Sequence, residues 1–205
     1  MDPKRLVDLA LAVPALVMSL PVQAVVALAV RLRLGRPVLF RQQRPGLHGL
    51  PFMLFKFRTM RPVDLRAGVV SDADRLTPLG SFLRSTSLDE LPSLWNVVRG
   101  DMSIVGPRPL LTQYLSRYTT TQARRHEVRP GLTGLAQVSG RNAVSWEERL
   151  QLDVTYVELH TLRGDLDIIA RTIGAVLRRQ GISAAGHDTM PEFTGSPSRD
   201  QGDEA

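Results

Sequence analysis

The sequence predicts an α+β fold: a mainly helical domain with a small β-hairpin element, held by an N-terminal membrane segment. Three observations carry this. Residues 9–30 hold no charged side chain, two β-patterned runs flank a turn rich in Pro and Gly, and several later stretches place apolar residues at helical spacing behind good N-caps. The chain has 205 residues and is 43% hydrophobic, which suits one domain with an ordinary core. It has no cysteine, so nothing favours a disulfide-stabilised secreted fold.

The uncharged run from Leu9 to Val30 would reach ~33 Å as a straight helix, about the thickness of a bilayer's hydrocarbon core. Pro14 and Pro21 each remove a backbone hydrogen bond within it, so a bend is expected in mid-membrane. Lys4 and Arg5 precede the run, and Arg31, Arg33 and Arg36 follow it. Basic residues favour the cytoplasmic side, so both ends are drawn the same way. The expectation is a re-entrant helix–break–helix anchor over residues 1–36, broken at Pro14 and Pro21, ahead of a single span or a cleaved signal peptide.

Residues 37–182 form the expected cytoplasmic domain. Strands are predicted over 37–44 and 51–60, joined by a turn containing Pro45, Gly46 and Gly49. In the second strand Lys56 and Arg58 share a face with Leu54, opposite Met53, Phe55 and Phe57. Residues 61–75 read as a flexible loop. Thr77 then caps a helix whose first residue is Pro78, sending Leu79, Phe82 and Leu83 to the core and placing Arg84 near its end.

Asp89 and Glu90 open the next short helix, whose apolar positions Leu91, Leu94, Trp95 and Val98 would bury one face, with Gly100 as the stop. At a helix N-terminus the dipole favours ionised carboxylates, as a nucleophile or a metal ligand requires. A structural reading competes with this one: Ser87 and Glu90 have the spacing of a capping box. Pro92 opposes a start at Ser87 and suits a start at Pro92 itself, and either start leaves the carboxylate pair at the N-terminus.

Residues 102–105 read as a short strand entering Gly106-Pro107-Arg108-Pro109, where two prolines fix the backbone around one arginine. Arg129 and Arg141 also stand beside turns, on either side of a strand-like stretch, 135–138. Three such arginines are suited to clamping a diphosphate. Ser145 to Glu148 is a second capping box, read as structural, opening a helix toward His160. Leu166, Ile169, Ile173, Val176 and Leu177 define a further amphipathic helix, suited to the core or to a membrane surface. Residues 183–205, rich in Gly, Ser, Pro and acidic residues, read as a flexible tail despite Phe193.

Charge and motifs narrow the function. The net charge is +6, and nine basic residues against one acidic lie between Arg31 and Arg66. Such a surface next to an apolar segment fits anionic lipid headgroups. A nucleic-acid-binding module or a non-catalytic membrane scaffold are the alternatives. The phenylalanines near the basic residues are equally explained by strand burial, which weakens the first. There is no Walker loop, GxGxxG, HExxH or GxSxG element, and His48, His126, His160 and His187 are scattered without cysteine partners.

Five runs carry a more specific signal: KRLVDLALA at 4–12, PVLFRQQRPGLHGLPFMLFKFRTM at 37–60, LTPLGSFLRSTSLDELPSLWNVVRGDMSIVGPRPLL at 76–111, RHEVRPGLTGLAQVSGRN at 125–142 and GISAAGHDTMPEF at 181–193. With these the chain resembles the bacterial sugar transferases, monotopic polyprenyl-phosphate phosphoglycosyl transferases, in their short form. The resemblance implies transfer of a phosphosugar from a UDP-sugar to undecaprenyl phosphate at the cytoplasmic face of the inner membrane, releasing UMP. It implies Asp89 as nucleophile of a covalent phosphosugar intermediate, with Asp89 and Glu90 as ligands of Mg²⁺. It also implies Lys56, Arg84, Arg108, Arg129 and Arg141 as phosphate or nucleotide contacts. Inner-membrane lipids are expected partners, a second copy of the chain is an allowed one, and nucleic acid is not expected. Leu20 stands where the family has serine before the hairpin proline, Leu135 where tryptophan is common and Ser139 where asparagine is common.

Overall fold

The computed structural model describes residues 2–66, 69–139, 145–178 and 192–195. In chain order these form α1 (Pro3–Arg33), β1 (Leu39–Pro45), β2 (Pro51–Phe57), α2 (Asp72–Arg75), α3 (Pro78–Ser85), α4 (Leu94–Arg99), β3 (Ser103–Val105), α5 (Thr120–Ala123), β4 (Gly131–Thr133), α6 (Leu135–Ser139), α7 (Trp146–Leu159) and α8 (Leu162–Leu177). Short 3₁₀ turns join them, so the fold is α+β and dominated by helix.

The N-terminal segment is one helix, long and apolar enough to cross a membrane. Residues 3–33 are helical throughout, with Pro14 and Pro21 inside, so neither proline appears as a gap in the helix. Both ends rest on the same body. Near the start, Ala12 packs with Leu54, Leu94, Val97 and Met102, and near the finish Val26 and Val30 pack with Phe57 and Leu83. Between them Val17, Met18 and Leu20 are exposed.

Polar contacts reinforce both attachments. Lys4 Nζ lies 2.5 Å from Asp165 and donates to Tyr156 at 3.0 Å, while Arg5 donates to the Val97 and Val98 carbonyls at 2.6 and 2.8 Å. Those carbonyls face out from the end of α4, where a cation is favourable. Buried Asp8 accepts from Ser103 Oγ and Ile104 N, both at 2.9 Å. At the other end Arg58, the residue after β2, donates to the carbonyls of Leu34 and Arg36.

β1 and β2 form the expected antiparallel hairpin, with Leu39 opposite Phe57 and Pro45 opposite Pro51. Leu54 and Phe57 are both buried, on opposite faces, because the start of α1 and α4 cover Leu54 while the end of α1 and α3 cover Phe57. Fully buried Asn96 fastens it to α4, accepting from Phe55 N and donating to Met53 O, and Ser93 Oγ donates to Phe55 O at 2.7 Å. A second, parallel pair joins β3 to β4, Ser103 to Gly131 and Val105 to Thr133. A Cβ on Gly131 would sit 2.1 Å from Gly106 N, so this approach needs glycine.

Several expectations change. The stretch 135–138 is helix α6, not strand; Leu, Ala and Gln are good helix formers, and the strand lies just before it in β4. Trp95 and Phe82 are exposed. For Trp95 the reason is the 3₁₀ turn Leu88–Ser93 before α4, which rotates the helical face by roughly 120° relative to an α-helix of equal length and leaves Leu94 and Val97 inside. In α8 the buried side is Asp165, Ile168 and Thr172, because Lys4, Tyr156 and Thr133 bind its polar residues, so Leu166 and Ile173 face outward. The 61–75 stretch is partly ordered, with Asp64 bridged to Val69 and Ser71 capping α2.

The tail expectation changes at residues 192–195. Phe193 is buried against Leu110, Tyr114 and Leu150, with Tyr118 and Trp146 beside it, while Glu192 pairs with Arg117 at 2.9 Å. Aromatic burial, which composition hides, holds this segment. The remaining residues of 183–205 lie outside the described ones. Phe193→Ala is expected to lower unfolding stability by about 3 kcal/mol or more, read by denaturant titration.

Candidate active site

The carboxylate pair lies on the 3₁₀ turn Leu88–Ser93, not on a regular α-helix. Ser87 enters it in the left-handed region, with φ 57°, and its side chain makes no cap hydrogen bond, so the competing capping-box reading is not met. Pro92 is inside the turn, where its missing N–H opposes a continuous α-helix. α4 begins only at Leu94.

Two segments converge on Glu90. Lys56 Nζ from β2 is 2.5 Å from Glu90 Oε1, and Arg108 Nη2 from the proline-flanked turn is 2.7 Å from the same oxygen. Asn96 and Ser93 set the strand that carries Lys56, as described above. Lys56, Glu90, Arg108, Ser93, Leu54 and Met102 line a small pocket here.

The two carboxyls differ sharply. Burial works against ionisation of Glu90, but the charges of Arg108 and Lys56 outweigh it and hold the group well below the usual carboxylate range. Burial, then the negative charge of Glu90, push Asp89 up to about 6, against the opposing pull of Lys56, Arg108 and Arg84. To the helix-end effect expected from the sequence the structure adds ion pairs that keep Glu90 charged, and Asp89 is the more basic group. No hydrogen bond engages the Asp89 carboxylate among the described residues. Burial also lowers Lys56, offset in part by Glu90.

Arg84 is tied to Thr59, Nε to Oγ1 at 3.1 Å, and its charge favours ionised Asp89. Arg129 goes elsewhere: its Nε donates to Gly100 O at 2.9 Å, joining the entry of β4 to the end of α4, and no hydrogen bond or ion pair links it to Asp89 or Glu90. Arg141 lies outside the described residues. No group of three or more His, Cys, Asp or Glu suited to a metal occurs among the described residues.

Sequence reading missed Asn96, Arg125 and Asp153. Asn96 carried a signal, a polar residue beside apolar helix positions. Arg125 and Asp153 lie 28 residues apart and form a buried ion pair at 2.7 Å, which no local pattern announces.

The family described as bacterial sugar transferase matches residues 2–179. An uncharacterized sugar transferase, EpsL, of Bacillus subtilis (strain 168) is 50% identical over 194 residues, 94% of this chain and 96% of that protein. The UDP-glucose:undecaprenyl-phosphate glucose-1-phosphate transferase of Caulobacter vibrioides is 41% identical over 186 residues, 85% of this chain and 69% of that one. The UDP-galactose-lipid carrier transferase of Erwinia amylovora is 40% identical over 196 residues, 87% of this chain but 41% of that protein, so the chain spans less than half of this longer relative.

Ser87→Gly is expected to raise stability by up to about 1 kcal/mol, because glycine accepts a left-handed backbone without strain. A chemical-denaturation midpoint reads the sign, and a loss would restore the capping role.

Proposed function

This chain belongs to the bacterial sugar transferase family, and from that premise we propose that it transfers a phosphosugar from a UDP-sugar to undecaprenyl phosphate through the Asp89 carboxylate. Curated relatives bear names of that reaction class. The observation that carries the assignment is the division of labour in the pair: Glu90 is held by Lys56 and Arg108, while Asp89 is unpartnered among the described residues and the more basic.

In the proposed sequence an Asp89 oxygen attacks the phosphorus that bears the sugar. The bond from that phosphorus to the bridging oxygen breaks, and UMP leaves with the electron pair. An oxygen of undecaprenyl phosphate then attacks the same phosphorus, releasing Asp89 and giving undecaprenyl diphosphate sugar. A carboxylate suits the role because an acyl phosphate passes its group onward readily. Lys56, Arg108 and Arg84 place positive charge where the phosphoryl oxygens develop negative charge.

The donor set fits Mg²⁺, which accepts one or two carboxylates together with substrate phosphates. Asp89 and the second Glu90 oxygen, Oε2, would hold it, since Lys56 and Arg108 both contact Oε1. The ion would neutralise charge on the diphosphate.

The membrane reading follows from α1. Its apolar middle is exposed while both ends are fastened to the body that carries Asp89, which favours an arc dipping into one leaflet at the inner membrane's cytoplasmic face over a full crossing.

Two experiments test this. With a panel of radiolabelled UDP-sugars and undecaprenyl phosphate, the wild-type protein should release UMP and take up labelled phosphosugar. Asp89→Asn should lose both by at least ~10³-fold while staying membrane-bound; wild-type UMP release from it would remove Asp89 as nucleophile. In the cysteine-free chain, Asp2→Cys and Arg36→Cys should react with an impermeant reagent from the same side of oriented vesicles. Labelling from opposite sides would establish a crossing.

A further inference from the structure

The Arg108 turn is fixed more completely than its two prolines require. Pro107 O accepts from Gly131 N at 3.0 Å, Arg108 O from Arg125 Nη2 at 2.7 Å, and Pro109 O from Arg44 Nη1 at 3.3 Å. The prolines set φ at 107 and 109. What they leave adjustable is the orientation of the intervening peptide planes, and those are the planes whose carbonyls are held.

The donor to Arg108 O is itself an unusual investment of charge. Arg125 and Asp153 are fully buried. Asp153 Oδ2 accepts from Arg125 Nε at 3.0 Å and from Nη2 at 2.7 Å, and Arg125 Nη1 donates to Tyr118 Oη at 3.3 Å. Nη2 thus serves Asp153 and the Arg108 carbonyl together. A buried ion pair is poor value as stability alone, since apolar replacements of similar volume are often neutral or better. What it supplies is direction, because a planar guanidinium gripped on one edge presents its remaining N–H groups at fixed angles.

We infer that the Arg125–Asp153 pair is a positioning device for the reaction: Asp153 orients Arg125, Arg125 sets the Arg108 peptide, and the Arg108 side chain is thereby aimed at Glu90 beside the nucleophile. Neither residue touches substrate. This rests on the phosphosugar-transfer reading above, because a turn held so firmly matters most where charge builds on a transferring phosphoryl group.

The test is a kinetic cycle with a structural readout. Arg125→Met with Asp153→Leu removes both charges together. It should retain a cooperative unfolding transition, and kcat/KM for the sugar-nucleotide donor should fall by roughly 30-fold. In an Arg108→Gln background the same pair of changes should cost only about twofold, because the group they position is already gone. Equal losses in the two backgrounds would reduce the pair to scaffolding and overturn the inference. If the apolar pair fails to fold, Arg125→Lys carries the same cycle, keeping a cation opposite Asp153 but losing the fork. Amide hydrogen exchange across residues 105–111 should quicken by roughly tenfold in the variant while that of α1 holds. Unchanged exchange at the turn overturns the proposal. Should no donor support transfer by the wild-type protein, the reaction reading fails, whereas faster exchange at the turn upholds the clamp.

Discussion

One carboxylate oxygen organises this molecule. Glu90 Oε1 receives both Lys56 and Arg108, and those cations arrive from parts of the chain far apart in sequence. Placing them requires the β-hairpin to be held by Asn96 and Ser93, and the Arg108 turn to be held by β4, Arg44 and Arg125. With its charge matched, Glu90 stays ionised despite burial, while burial first and then the negative charge of Glu90 raise the affinity of Asp89 for a proton. Two adjacent carboxyls are thereby split into an ion-paired group and a more basic one.

The apolar helix serves the same centre. Lys4, Arg5 and Asp8 join α1 to α8, α4 and β3, and Arg58, just after β2, holds the residues that follow the other end of α1. Basic residues that read as topology signals are also structural tethers, Lys4 through a carboxylate and Arg5 through the carbonyls of a helix end. The two roles are compatible, since a cation that stays on one side of a membrane can be spent on a contact there.

Much of this was legible in the sequence because it is local. The hairpin, the Thr77 cap with Pro78, the turn around Arg108 and the acidic pair all lie within short windows whose backbone chemistry is decided by Pro, Gly and Thr. What was not legible depends on distance or on phase. Trp95 turned outward because six residues of 3₁₀ geometry shifted the face of α4, and Leu166 turned outward because polar residues of α8 found partners on α1, α7 and β4. Arg129 looked like Arg108 beside its proline, yet the carbonyl it meets belongs to Gly100. The Arg125–Asp153 pair has no periodic signature, and Phe193 sat in a stretch whose composition argued for disorder.

The place of Phe193 sets an order of events. Its backbone N–H meets Tyr114 Oη across 79 positions of sequence, and its ring touches Tyr118, the aromatic neighbour of Arg125. As the polypeptide leaves the ribosome, α1 and the hairpin are available early, whereas the outer wall behind the Arg108 turn stays open until residue 193 has been made. The aromatic wall behind the Arg108 turn is therefore completed after the segments that carry Lys56 and Glu90 have been made.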